Sequence, residues 1–273
     1  MRFPRSLALS AGAFAFLAGS LAATGTASAA GARYVALGDS YSSGVGAGSY
    51  DSGSGDCKRS TKAYPQLWAA AHAPASFSFV ACSGATTSSV NSGQLGSLSS
   101  STTLVSISVG GNDIGFSNVM STCVTGSDST CVSAVNNAEA SAQNTLPGSL
   151  DSLFSTIKSK APSAHVVVLG YPHLYKITSF CVGLSNTKRN KLNEGSDVLD
   201  TSVSQGASRA GFTFSDVRDE FSGHELCSGD DWLNSVTLPI GNSYHPTALG
   251  HASGYLPAFT STAGALARAS RDS

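Results

Sequence analysis

Short apolar runs alternate along this chain with longer segments in which apolar residues recur at helical spacing. The short runs predict five strands, at residues 33–37, 77–81, 104–109, 165–169 and 212–214. The longer segments predict helices at residues 64–73, 132–160, 187–210 and from 247 onward, with Pro147 dividing or kinking the second of them. Because strand and helix alternate, we expect an α/β fold of three layers, α/β/α, with a central, mostly parallel five-stranded sheet.

The first 29 residues differ in character from the rest. Arg2 and Arg5 precede an apolar run at residues 7–21, and Ala27-Ser28-Ala29 follows it. A basic start, an apolar stretch and an A-x-A pattern are typical of a secretory signal peptide, and the apolar run is shorter than a membrane span. We therefore predict a signal peptide at 1–29, a single domain at 30–273 without an integral membrane segment, and a secreted, extracellular protein.

The charge balance limits the classes of partner. The chain has 16 Lys and Arg and 17 Asp and Glu residues; Arg2 and Arg5 lie within residues 1–29, which leaves 14 positive and 17 negative side chains and a net charge of −3. Nucleic-acid-binding domains are strongly basic, and helices that bind anionic membranes are basic and amphipathic. The sequence therefore predicts no nucleic-acid partner.

Six cysteines lie within residues 30–273: Cys57, Cys82, Cys123, Cys131, Cys181 and Cys227. An even number in an exported protein predicts three disulfides, which can be paired in fifteen ways. We favour pairing in sequence order, because each bond then closes a local loop between apolar segments. No C-x-x-C pair is present, and Ser228 stands where a zinc-protease pattern beginning at His224 needs its second histidine, so we predict no metal and no cofactor.

Four segments near the predicted strand ends carry residues suited to chemistry. Gly38-Asp39-Ser40 ends the first strand, where an exposed serine is a candidate nucleophile. Gly84 follows the second strand, and Gly110-Gly111-Asn112-Asp113 ends the third, where the Asn112 amide is a candidate donor to a developing oxyanion. His245 precedes Pro246 at a predicted helix start and is a candidate general base. Taken one at a time, the glycine-rich segments are equally compatible with ordinary turns.

Taken together, these four segments resemble, in order and spacing, the conserved blocks of the GDSL or SGNH esterases and lipases. The resemblance covers residues 30–273, and the six-cysteine layout is most similar to secreted actinomycete lipases and phospholipases A1. It implies a flavodoxin-like SGNH hydrolase fold with Ser40 as the nucleophile and His245 as its base. It further implies an oxyanion hole formed by the backbone N–H groups of Ser40 and Gly84 and the Asn112 amide. No G-x-S-x-G motif is present, which disfavours the α/β-hydrolase fold.

One position departs from the family pattern, which usually has an aspartate three residues before the histidine. Here that position is Asn242. In a serine-protease triad the aspartate holds the histidine in its working tautomer, and an asparagine does not. We therefore expect a Ser40–His245 dyad whose imidazole is oriented by a backbone carbonyl, with Ser243 as the candidate. The alternatives are a carbonyl of the 232–239 loop and a carboxylate from elsewhere, Glu225 or Asp231.

The resemblance implies a monomeric lipase or phospholipase A1 that cleaves acyl esters of glycerolipids, with a lipid or other acyl ester as its partner. Two alternatives stay open: an acetyl esterase acting on polysaccharide, and a catalytically inert secreted binding module of the same fold. Apolar residues in loops after the strands are candidates for lining the acyl pocket, with core packing as the alternative. These residues are Ile114, Phe116, Leu174 and Tyr175.

Overall fold

A five-stranded parallel sheet forms the centre of the molecule. The computed structural model describes the backbone of residues 31–269 and the side chains of residues 31–264, so the predicted signal peptide at 1–29 lies outside the described residues. The strands are β1 (Arg33–Ala36), β2 (Ser76–Phe79), β3 (Leu104–Ile107), β4 (His165–Leu169) and β5 (Thr213–Ser215). They lie in the order β2-β1-β3-β4-β5, and every neighbouring pair is parallel. The expected α/β fold is confirmed, with β2 and β5 displaced by one residue from their predicted starts.

Nine α-helices connect and flank the strands within residues 31–269. They are α1 (Ser40–Ser43), α2 (Tyr64–His72), α3 (Thr87–Gly93), α4 (Phe116–Thr125), α5 (Asp128–Asn144), α6 (Leu146–Lys160), α7 (Asn186–Ala210), α8 (Arg218–Phe221) and α9 (Leu256–Ala269). A π-helical turn at Gly250–Tyr255 precedes α9. Pro147 lies in the first turn of α6, where a missing N–H costs no hydrogen bond. The segment predicted at 132–160 is therefore two helices, divided at this proline.

Helices α3 and α4 have no counterpart in the sequence prediction. Helix α3 is short and polar, and it begins with a capping box in which Ser89 takes the place usually held by Glu or Gln. Helix α4 follows Gly115, whose φ is +80° and which offers no side-chain cap. The start of α3 lacks the Glu or Gln of a capping box and the start of α4 lacks a capping side chain, and both helices lie next to the candidate site.

The helices cover the two faces of the sheet. On one face the Tyr34 ring of β1 stacks on Phe259 of α9 at 5.4 Å and meets Trp68 of α2 edge-on at 5.2 Å. On the other face α7 packs against β4 and β5, with α5 and α6 against α7. Residues Val166 to Leu169 of β4 are buried throughout, as a strand covered on both faces requires.

The carboxyl ends of the strands meet at one edge of the sheet. The chain leaves β1 for β2 on one side and returns to β3 on the other, which is the switch point where open α/β sheets bind ligands. Beyond the strands the pairing continues, because the N–H groups of Leu37 and Asp39 donate to the carbonyls of Ser106 and Ser108 at 2.9 and 3.0 Å. This ladder carries the chain of β1 as far as the residue before Ser40.

Three disulfides join the cysteines in sequence order: Cys57–Cys82, Cys123–Cys131 and Cys181–Cys227. The first links the loop after α1 to the loop that contains Gly84, and the second links α4 to α5. The third ties the segment before α7 to the segment after α8. None of the helices within residues 31–269 has the length and apolar character needed to cross a bilayer.

Candidate active site

Ser40 begins α1 directly after a turn that only glycine can make. Gly38 has φ +125°, and a Cβ there would lie 2.6 Å from the Ser108 carbonyl oxygen. The Asp39 side chain then caps α1 by accepting the N–H of Tyr41 at 3.0 Å. The turn therefore presents the Ser40 hydroxyl at the edge of the sheet.

Ser40 and His245, separated by 205 positions in the sequence, are in hydrogen-bond contact. The Oγ of Ser40 lies 2.8 Å from Nε2 of His245, and Nδ1 of His245 lies 2.9 Å from the Ser243 carbonyl oxygen. A carbonyl oxygen can only accept, so Nδ1 carries the proton and Nε2 accepts the serine hydroxyl. Burial and, to a smaller extent, the positive charge of Lys58 lower the pKa of His245 to about 4, although the hydrogen bond to the Ser243 carbonyl opposes the fall. The imidazole is therefore neutral near pH 7.

The structure shows which of the candidate groups contacts the imidazole of His245. Among the described residues, the Asn242 side chain accepts a hydrogen bond from the Tyr50 hydroxyl at 3.2 Å and makes none to the imidazole. The alternative carboxylates are engaged elsewhere: Glu225 accepts the N–H of Gly223, and Asp231 accepts from Ser228. The group at Nδ1 is the carbonyl of Ser243.

The backbone around His245 is held on both sides. Tyr244 has φ +63°, an unusual value for an aromatic residue, and its carbonyl accepts the Tyr41 hydroxyl at 2.6 Å. The Ser243 hydroxyl accepts the N–H of Thr237 at 3.0 Å. The His245 carbonyl accepts both the main-chain and the side-chain N–H of Asn234, each at 2.9 Å. These bonds fix the direction of the Ser243 carbonyl.

Asp39 is a buried acceptor beneath Ser40 with no hydrogen bond to His245. Its carboxylate accepts the Ser108 hydroxyl at 2.7 Å and the Tyr171 hydroxyl at 2.5 Å, in addition to the N–H of Tyr41. Tyr171 also accepts the N–H of Gly111 at 3.3 Å. Burial raises the pKa of Asp39 to about 6, although these hydrogen bonds oppose the rise. Asp39 therefore joins the serine turn to the end of β3.

Asn112 and Asp113 hold the loop that carries Gly84. The Asn112 amide donates to the Ala85 carbonyl at 3.0 Å, and Asp113 accepts the N–H and the hydroxyl of Thr87 at 3.1 and 2.5 Å. Gly84 has φ +77°, and its N–H makes no hydrogen bond with any described residue. An amide N–H left free in this way is available to a ligand.

Gln94, the residue directly after α3, supports the serine turn and carries no signal in the sequence. Its Oε1 accepts the N–H of Gly38 and its Nε2 donates to the carbonyl of Gly38, both at 2.8 Å. Because its partner is main chain, no spacing of residue types points to it. Tyr41 is similar, since it sits beside Ser40 in the sequence yet acts on the backbone of Tyr244.

An apolar cavity opens beside Ser40, beneath α4, α5 and α7. Ser40 and Asn112 line its polar end, while Gly84 is not among its lining residues. Of the predicted pocket residues, Ile114, Phe116 and Leu174 line the cavity. Tyr175 does not line the cavity, and its hydroxyl donates to the Tyr244 hydroxyl at 3.4 Å.

The sequence blocks brought together here agree with a known family. The sequence model of the GDSL-like Lipase/Acylhydrolase family matches residues 36–253, which include Ser40, Gly84, Asn112 and His245. The chain belongs to this family. This GDSL-like chain is 60% identical over 262 residues to Lipase 1 of Streptomyces coelicolor, with 96% of this chain and 97% of that protein covered.

Two solved structures are similar to this chain over most of its length. The GDSL-like fold of this chain is similar to the crystal structure of phospholipase A1 from Streptomyces albidoflavus NA297, with a TM-score of 0.84, 57% identity, and coverage of 85% of this chain and 100% of that chain. It is also similar to the extracellular lipase of Streptomyces rimosus, with a TM-score of 0.83, 54% identity, and coverage of 85% and 99%.

Proposed function

We propose that this protein is a secreted carboxylic-ester hydrolase of the lipase or phospholipase A1 type, which cleaves acyl esters of glycerolipids through an acyl-enzyme on Ser40. The observation that carries this proposal is the hydrogen-bonded series from Ser40 Oγ to His245 Nε2, and from His245 Nδ1 to the Ser243 carbonyl. It supplies a nucleophile, a neutral base and a fixed tautomer without a carboxylate.

The first half of the reaction forms the acyl-enzyme. Ser40 Oγ attacks the ester carbonyl carbon while its proton moves to His245 Nε2. The carbon–oxygen bond to the alcohol then breaks, and His245 returns the proton to the leaving alkoxide. In the second half, a water molecule loses a proton to His245 and attacks the acyl carbon, which releases the fatty acid and restores the Ser40 hydroxyl.

The negative charge of each tetrahedral intermediate requires donors that are in place before the reaction. Three are proposed: the backbone N–H groups of Ser40 and Gly84 and the Asn112 amide. The positive φ of Gly84 and its free N–H support this assignment. So does the position of Asn112 beside Ser40 in the wall of the apolar cavity.

The apolar cavity supports a hydrocarbon acyl chain as the group bound beside Ser40. Its walls beyond Ser40 include Ile114, Val119, Leu192 and Leu199, which can bury hydrocarbon. Relatives more than half identical to this chain are named lipase and phospholipase A1, which supports glycerolipids as the substrate class.

We also propose that the protein is exported and monomeric. The signal-peptide pattern of residues 1–29 and the three disulfides support a secreted protein whose hydrolase domain is residues 30–273. Every proposed catalytic group comes from one chain, so a monomer suffices.

The test is a profile of p-nitrophenyl esters from two to sixteen carbons. Ser40→Ala is expected to abolish the burst of p-nitrophenol and to lower turnover at least about a thousandfold, while Ser52→Ala, at an exposed serine, retains activity. Activity restricted to acetyl esters contradicts the lipase assignment and favours the acetyl esterase. Absence of turnover on every ester contradicts catalysis and favours the binding module.

A further inference from the structure

A second apolar depression lies on the other side of the candidate dyad. We call it the α4 groove: it runs between α4 and residues 236–245, encloses about 450 Å³, and its lining includes Met120, Val124, Val236, Ile240 and His245. The three aliphatic side chains Val124, Val236 and Ile240 are 40%, 54% and 66% exposed. Neighbouring apolar side chains exposed to this extent mark a binding surface.

The α4 groove and the acyl cavity have one lining residue in common. Phe116 lines both of them. Ser40 lines the acyl cavity only, and His245 lines the α4 groove only. The acyl cavity therefore reaches the dyad at Ser40, and the α4 groove reaches it at His245.

The chemistry of ester cleavage gives these two sides different occupants. The acyl group becomes bonded to Ser40 Oγ, so its chain belongs in the cavity that Ser40 lines. The leaving alcohol receives its proton from His245 Nε2, so the alcohol belongs on the side of His245. In a two-chain glycerolipid, the leaving alcohol is the glycerol group together with its second acyl chain.

We infer that the α4 groove is the leaving-group site, and that it holds the retained acyl chain of a two-chain glycerolipid while the scissile chain occupies the cavity beside Ser40. This inference rests on the proposed function and names its substrate class more narrowly. Phe116 divides the two chains at the level of the ester. An ester without a second chain leaves the groove empty.

The charge at one end of the groove suits an amphiphile. Lys58 Nζ lies 3.5 Å from the position that a Cβ would take at Gly241, a residue of the groove wall. Within the described residues Lys58 has no salt-bridge partner. An apolar groove that ends at an unpaired ammonium is complementary to a lipid chain whose head group is anionic.

The experiment compares a diacyl phospholipid with the 1-acyl lysophospholipid that has the same head group and the same scissile chain. Both are presented at equal mole fraction in mixed detergent micelles, so that the interface is the same. Ser121→Phe fills the groove from an exposed position of α4, and Ile240→Ser removes apolar surface from its opposite wall. Asn118→Phe adds the same ring to an exposed position of α4 outside the groove and is the matched control.

Both groove variants are expected to lower kcat/KM for the diacyl lipid about tenfold more than for the lysolipid, because an apolar subsite discriminates by about this factor. Asn118→Phe is expected to keep the wild-type ratio. An unchanged ratio in both groove variants, or an equal change in Asn118→Phe, overturns the inference. A p-nitrophenyl ester of the same scissile acyl chain distinguishes failure of this inference from failure of the proposed function, since a wild type that hydrolyses no such ester contradicts the proposed function itself.

Discussion

Gln94 and Gly38 form a cyclic pair of hydrogen bonds in which a side-chain amide takes the place of a neighbouring strand. Both bonds are 2.8 Å long, and Gln94 is buried. The Gly38 carbonyl accepts the N–H of Cys82 as well, whereas the Gly38 N–H has Gln94 as its acceptor. Gln94 thus fixes the peptide plane two residues before Ser40.

Gln94→Met keeps the length of the side chain and removes both hydrogen bonds. The unpaired Gly38 N–H is expected to lower the free energy of unfolding by about 1–3 kcal/mol. The serine turn should also lose definition, with a fall in kcat of about tenfold. Urea unfolding and steady-state kinetics on a soluble ester measure the two effects. Gln143→Met, at an exposed position of α5, is the control, and unchanged kcat in folded Gln94→Met would show that Gln94 does not position Ser40.

The sequence predicts the parts of this molecule that depend on local pattern. Short apolar runs followed, at once or within a few residues, by Gly38, Gly84 and Gly110 identify three strands and the edge where they meet. The parts it misses depend on main-chain partners. Gln94 and Tyr41 act on backbone atoms, and the choice of Ser243 among several carbonyls needs the path of the chain. The α4 groove was missed because α4 begins without a cap signal.

Asn242→Ala tests the carbonyl-oriented dyad. The Asn242 side chain is bonded to the Tyr50 hydroxyl and not to His245, so kcat/KM is expected to stay within about threefold of wild type. Loss of an orienting residue in a triad costs on the order of 10⁴. Steady-state kinetics on a soluble ester distinguish these values. A loss of a hundredfold or more would assign the orienting role to Asn242 and remove it from Ser243.

Asn112→Ala tests the oxyanion hole. Removal of one preorganised donor is expected to lower kcat by about 10²–10³ with little change in KM, because the donor acts on charge that develops only in the transition state. The amide also holds the Ala85 carbonyl, so the melting temperature is measured alongside the kinetics. Asn118→Ala, on the exposed surface of α4, is the control. A kcat loss below about tenfold would exclude Asn112 from the hole.

The pH profile tests the state of His245. Its imidazole must be neutral to accept the Ser40 proton, and its pKa is lowered to about 4, so kcat/KM should be level near neutrality and fall as the pH drops through about 4. Lys58→Gln removes a positive charge that favours the neutral ring of His245. The substitution is therefore expected to raise the pKa of His245 and to move the acidic limb of the profile to higher pH. Lys62→Gln, at an exposed position, is the matched control. A limb near the ordinary histidine value of 6.5 would contradict the burial argument.

The buried imidazole of His251 makes the free energy of unfolding depend on pH. It is fully buried in the π-helical turn before α9, where its Nδ1 accepts the N–H of Tyr64 at 3.4 Å, and burial lowers its pKa to about 3. The unfolded chain takes up this proton near 6.5, so between about 6.5 and 3 the unfolded state binds more protons and stability falls with the pH. The contribution of one such group is roughly 1 kcal/mol for each pH unit.

His251→Gln retains an acceptor for Tyr64 and has no titrating ring. Its free energy of unfolding should therefore fall less steeply than that of the wild type between pH 6.5 and 4.5, as measured by urea unfolding. Asp39 contributes in the opposite direction and is present in either protein, and His245, whose charge also lowers the pKa of His251, contributes in the same direction as His251. His72→Gln, at a half-exposed ring on α2, is the control. Equal slopes for wild type and His251→Gln would mean that the buried imidazole does not resist protonation, and the acid sensitivity of the fold would have to come from other groups.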